Sequence, residues 1–189
     1  GFLAEDRSDH PDFERVPYAF PFRSANATLD FVLISMHLQP DNGTADRARR
    51  KHELQSIAAW IDQNCAVEKD FIIVGDMNIY SPEELVDVTP SGYLSLNDEC
   101  RFTNTLTFDD KGKPYDHVLY NMSMTREIDI DFDLVVIDLV ELMRSYWIDE
   151  TPYPGDPYDH NLFKQHYSDH SPVIFRLITP AVDDDGPHI

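Results

Sequence analysis

Four short clusters in this sequence hold residue types able to do acid–base and phosphate chemistry, and each stands at the end of an apolar run. The first is Ser35-Met36-His37-Leu38-Gln39-Pro40, where a histidine closes a buried stretch. The second is Gly75-Asp76-Met77-Asn78, where a carboxylate and an amide lie two residues apart and so point the same way along extended chain. The third is Pro114-Tyr115-Asp116-His117, opening a further run, and the fourth is Ser168-Asp169-His170-Ser171-Pro172-Val173, just before the last one. Each cluster also has an ordinary structural reading: a lone histidine at a strand end is more often structural, and an aspartate after a glycine often caps a turn. Taken together, the histidines suit proton transfer near neutral pH. The carboxylate and amide oxygens suit a hard divalent cation or the positioning of water beside a phosphate.

Such residues need strands to carry them to one rim. Residues 29–36 form a nearly continuous apolar run, as does a strand covered on both faces, and residues 69–75 form a second that ends at Gly75. Residues 18–22 read as a Pro-containing edge strand. Asp41-Asn42-Gly43 marks a turn, after which Leu54, Ile57, Ala58 and Ile61 recur at helical spacing within a helix expected over residues 44–64. Arg47, Arg49, Arg50 and Lys51 near its start are either a solvated helix face or a contact for backbone phosphate. Ser81-Pro82 starts a short helix. Strands are expected over 103–108 and 117–120, joined by a hairpin-like turn at 109–113, and a half-exposed strand over 127–133. Residues 134–140 are ambiguous between strand and helix, and 172–177 form a closing strand. The pattern predicts a mixed α/β fold of sheet on sheet with helices outside.

The chain has 189 residues, 42% of them hydrophobic, which fits one globular domain. Fifteen Lys and Arg stand against 35 Asp and Glu, a formal charge of −20. That balance excludes a broad basic surface for nucleic acid, so contact with any polyanion must be local, with cations offsetting the carboxylates. Cys65 and Cys100 are too few for a disulfide framework or a thiolate zinc site, and either pair or remain thiols. No stretch is long and apolar enough to span a bilayer, and Gly1-Phe2-Leu3-Ala4-Glu5 has no leader pattern.

In this order, His-x-x-Pro, Gly-Asp-x-Asn, Tyr-Asp-His and Ser-Asp-His-x-Pro-Val resemble the endonuclease/exonuclease/phosphatase family, over residues 13–177. Phe13-Glu14-Arg15-Val16-Pro17 and Tyr115-Asp116-His117 look closer to its deoxyribonuclease I branch than to the inositol phosphatases. The resemblance implies a four-layer α/β sandwich with the site at one rim, and a metal-dependent phosphodiesterase, foremost a nuclease. A phosphatase or phospholipase-type enzyme and a non-catalytic scaffold are the alternatives. It implies that His170 is a general base or phosphate binder and that His37 serves the leaving oxygen or the phosphate. By the same resemblance, Asp76 and Asn78 position water, metal and phosphate, Asp169 ligates metal, Asp116 supports a site histidine and Arg15 touches a nucleic-acid backbone. The cofactor implied is Mg²⁺, with Ca²⁺ or Mn²⁺ as substitutes. The family's metal-binding glutamate belongs to an earlier portion of the fold. The expectation is therefore a single partial domain over residues 1–180 with an acidic tail over 181–189, completed by an N-terminal half or a second chain.

Overall fold

The computed structural model describes residues 1–3, 11–26, 28–66, 68–105, 112–146 and 158–179. Its frame is set by the two apolar runs. They form β2 (Asp30–His37) and β3 (Phe71–Asp76), which pair in parallel. A parallel pair needs a long crossover, and α1 (Thr44–Asn64) supplies it. The edge strand β1 (Tyr18–Arg23) pairs antiparallel with β2. On the far side β5 (Asp116–Asn121) pairs antiparallel with β3 and carries the short β4 (Tyr93–Ser95), giving the sheet order β1-β2-β3-β5-β4. Between β3 and β4 runs α2 (Pro82–Val88), whose N-cap Ser81 accepts the Glu84 N–H as the Ser-Pro start requires.

The two faces of this sheet differ. One buries Val32, Ile34, Met36, Ile73 and Leu119 against Leu54, Ile57 and Ile61 of α1. The spacing of those α1 residues puts all three on one stripe, as the sequence predicts. The other face buries Ile72, Val118 and Tyr120 beneath Leu134, Ile128 and the two-stranded ribbon of β6 (Val135–Val136) and β7 (Val173–Ile174). Towards β1 this second face is bare: Phe20 and Phe22 are 41% and 47% exposed, and Phe22 stacks on Phe31 with ring centroids 5.1 Å apart.

Several expected elements come out differently. Residues 127–133 form no strand; a single bridge, Ile128 to Leu177, ties them to the closing segment. The ambiguous stretch divides into β6 and the helix α3 (Leu139–Met143), capped by Asp138. The closing strand is regular only over the two residues of β7. A short helix, α4 (His160–His166), stands where none is expected, its N-cap Asp159 accepting from the N–H groups of Asn161 and Leu162. Much of the strand and turn expected over 103–113 lies outside the described residues, although Thr103 N–H reaches the Lys113 carbonyl at 2.9 Å. The tail at 181–189 also lies outside them. Cys65 and Cys100 are free thiols. Among the described residues no helix is long and apolar enough to cross a membrane.

Candidate functional site

The strand register builds the site. His37 is the ladder partner of Asp76, and Asp76 is the partner of Asp116. Three neighbouring strands therefore end at one rim with their polar residues in a row on one face. Gly75 makes the close packing of that row possible. Its φ of 141° lies where only glycine is at ease, and a Cβ there would stand 2.0 Å from the Met36 carbonyl oxygen. Past the rim the chain turns sharply at Asn78, φ 49°, a conformation asparagine tolerates better than most residues. Asn78 N–H donates to Asp76 Oδ1 at 2.9 Å, and its amide Nδ2 donates to the Leu38 carbonyl at 3.0 Å. The bridge between Asn104 and His170 brings the fourth cluster over this rim.

The result is one chain of polar contacts. His37 Nε2 lies 3.3 Å from Asp76 Oδ2, and His170 Nε2 lies 3.6 Å from the same oxygen. On its other side His170 Nδ1 donates to Asp116 Oδ2 at 2.7 Å. That bond, with burial opposing it and the charges of Asp116, Asp76 and Asp169 adding to it, raises the His170 pKa to about 9. Asp76 is also raised, chiefly by burial, against the Asn78 N–H and the histidine charges. At neutral pH His170 is therefore an imidazolium, a donor of hydrogen bonds rather than an acceptor of protons.

An open cleft of about 560 Å³ gathers Arg15, His37, Pro40, Asp76, Asn78, Tyr115, Asp116, Asp169 and His170 along its walls. All seven residues singled out from the sequence (Arg15, His37, Asp76, Asn78, Asp116, Asp169 and His170) face this cleft. Arg15 Nη1 donates to the Leu38 carbonyl at 3.3 Å, the same oxygen that orients Asn78. Asp169 is exposed, and its own carbonyl accepts the Thr105 N–H.

The helix α1 holds this rim in place. Buried Glu53 accepts the backbone N–H groups of Glu14 and Gln39, which flank Arg15 and His37. Arg50, fully buried, donates to Glu84 and to the carbonyls of Gln39 and Asp41. Arg47 and Lys51 bond Asp87, and Arg49 donates to the Pro11 carbonyl. Of the basic cluster read from the sequence, buried Arg50 thus serves the protein's own framework, while Arg47 and Lys51, 40% and 41% exposed, pair with Asp87 on the solvated helix face. Tyr115 is the residue that sequence reasoning passed over: an aromatic wall beside His170, with ring centroids 5.8 Å apart. Its signal was its place immediately before a rim carboxylate.

Carboxylate and amide oxygens at Asp76, Asn78, Asp116 and Asp169 have the donor chemistry of a hard-cation site. Among the described residues, however, no three acidic, histidine or cysteine side chains are grouped closely enough to hold a metal ion. Asp76 already spends both oxygens, one on Asn78 N–H and one on the two histidines. These residues alone do not amount to a metal centre.

No family model matches the sequence, and no curated protein matches it at a significant level. Solved structures do match the fold. Humanized D. rerio TDP2 carrying 14 mutations aligns over 94% of this chain at 14% identity, TM-score 0.54. An endonuclease/exonuclease/phosphatase family protein from Bacteroides thetaiotaomicron aligns over 92% at 15% identity, TM-score 0.53. The chain carries part of the endonuclease/exonuclease/phosphatase fold. It spans 67% and 58% of those two structures, and 67% of the mannosyl-6-phosphatase of Bacteroides thetaiotaomicron VPI-5482, which aligns at 15% identity and TM-score 0.52. At such identities the likeness speaks for the fold, an α/β arrangement of a mixed five-stranded sheet with a two-stranded ribbon.

Proposed function

We propose that this chain provides the proton-transfer and phosphate-binding rim of a metal-dependent phosphodiesterase, foremost a deoxyribonuclease I-like endonuclease. The observation that carries the reading is the unbroken line His37–Asp76–His170–Asp116 along one cleft. Phosphodiester hydrolysis needs a proton taken from water, charge on the phosphoryl oxygens stabilised, and a proton given to the leaving oxygen. His170, cationic at neutral pH and fixed at Nδ1 by Asp116, presents Nε2–H to a phosphoryl oxygen. Of the two roles implied by the family resemblance, the phosphate binder is the one its charge favours. Asp76, whose pKa is raised by burial, is suited to take the proton from water oriented with Asn78. His37 is exposed at the cleft mouth, where a leaving oxygen would depart, and is suited to protonate it. Arg15 adds the cleft's permanent cation.

In this reading Asp169 and Asn78 furnish part of a Mg²⁺ shell, the rest coming from outside these residues, from an earlier portion of the fold or a second chain, while Asp76 is left to the water. The same completion would turn the sheet and ribbon into the four-layer sandwich, covering Phe20 and Phe22. The longer solved structures support this reading of a partial domain. A second reading, a phosphatase acting on a small sugar phosphate, draws support from the charge of −20 and from a basic helix whose cations are already engaged.

The two readings separate in one assay. With magnesium present, the nuclease reading expects nicking of supercoiled plasmid DNA, weakened at least ~10²-fold by His170→Ala, and little release of phosphate from mannose 6-phosphate. Phosphate release without nicking would select the second reading, and neither activity, even with the completed fold, would sink both.

A further inference from the structure

Among the described residues lining the cleft, Tyr115 offers an aromatic surface apart from the histidines, and the proton-transfer scheme gives it no part. Its position is well fixed. Tyr80 meets its ring edge-on, with centroids 5.2 Å apart and an interplanar angle of 78°. The Tyr115 carbonyl accepts the Met77 N–H at 2.8 Å. Tyr80 is braced in turn by cations, with Arg50 at 5.4 Å and Lys113 Nζ at 5.2 Å from its ring centroid. A tyrosine needed only to fill space would sit in the core, yet Tyr115 is half-buried and forms part of the cleft wall. Beside it, His170 marks the place of the phosphate in the function proposed above.

Resting on that reading, we infer that Tyr115, held upright by Tyr80, is the specificity wall of the site: it stacks on a planar ring carried next to the phosphate. The site thereby prefers nucleotide-type esters over sugar phosphates and bare phosphate. Stacking of a base on an aromatic side chain is tolerant of base identity, because every base has a π-face. Tyr115 therefore selects for the presence of a ring and not for a sequence.

The test is binding, so that it stands apart from turnover. Affinities of the full chain for thymidine 5′-phosphate, glucose 6-phosphate and inorganic phosphate are compared by calorimetry in magnesium buffer. Thymidine 5′-phosphate should bind about tenfold more tightly than the other two. Tyr115→Leu should erase that preference while leaving the affinity for inorganic phosphate within about twofold, and Tyr115→Phe should keep it. Equal affinities in the wild type overturn the inference without any variant. So does a Tyr115→Leu protein that keeps the preference, or a wild type that binds none of the three. Should the preference be present but no ester be hydrolysed, the wall stands and the proposed phosphodiesterase falls.

Discussion

His170 differs from an ordinary surface histidine because of one oxygen. Asp116 Oδ2, 2.7 Å from Nδ1, is the largest cause of a pKa of about 9. Removing that charge should let the imidazole fall back towards the ordinary histidine value of about 6.5. In Asp116→Asn, NMR titration of His170 should therefore show a midpoint lowered by more than one unit, and its rate should bend at a correspondingly lower pH. A midpoint still near 9 would assign the cation to Asp76 and Asp169 instead. At this scale the sequence was informative, because His37, Asp76, Asp116 and His170 each abut an apolar run, and a strand end is where a rim side chain must come from. The pairing was legible as well: neighbours at a strand entrance point to opposite sides, so the carboxylate expected at His170 is Asp116 from another strand and not Asp169. Asp169 is the neighbour of His170 in the chain, yet the bond belongs to Asp116, 54 residues away.

Among the elements, β5 carries both halves of the argument, for Asp116 faces the cleft and the next residue, His117, points into the packed side. His117 is fully buried, and its Nδ1 lies 2.9 Å from Ser95 Oγ on β4. Burial lowers its pKa to about 4, against the Pro114 carbonyl and Asp116, which act the other way. The unfolded chain therefore binds this proton more readily than the folded one. The neutral ring's contribution is complete above the unfolded pKa of about 6.5, and is lost as pH falls towards 4. Between roughly pH 7 and 5 the loss is about 2 kcal/mol. Urea unfolding across that range should show the decline, and His117→Gln should flatten it. An unchanged acid slope in that variant would place the sensitivity elsewhere. Long elements such as α1 and β2 were legible because a helical spacing in the one and an apolar run in the other persist over many residues. By contrast β4, β7 and α4 were illegible or misjudged: three, two and seven residues long, they owe their form to what they pack on rather than to a pattern.

For the whole molecule, the charge of −20 and the exposed rings of Phe20 and Phe22 belong together with the proposal that a cation shell is completed from outside these residues. An exposed apolar strip rimmed by polar residues ordinarily meets another surface. Calorimetry should find that the 189-residue chain binds Mg²⁺ only weakly, without a saturating one-to-one step at micromolar concentration. Tight stoichiometric binding would mean that Asp76, Asn78 and Asp169 suffice, and that no further ligand is needed. The central claim, though, concerns the line of four side chains. Groups that act as one catalytic unit lose activity together, so their knock-outs do not multiply. The most direct measurement is kcat for diester hydrolysis in the completed, magnesium-loaded protein with His37→Ala, His170→Ala and both. The account predicts that each single change costs at least ~10²-fold and that the pair costs little more than the worse of them. Near-normal turnover in His170→Ala, or losses in the pair that multiply in full, would contradict it.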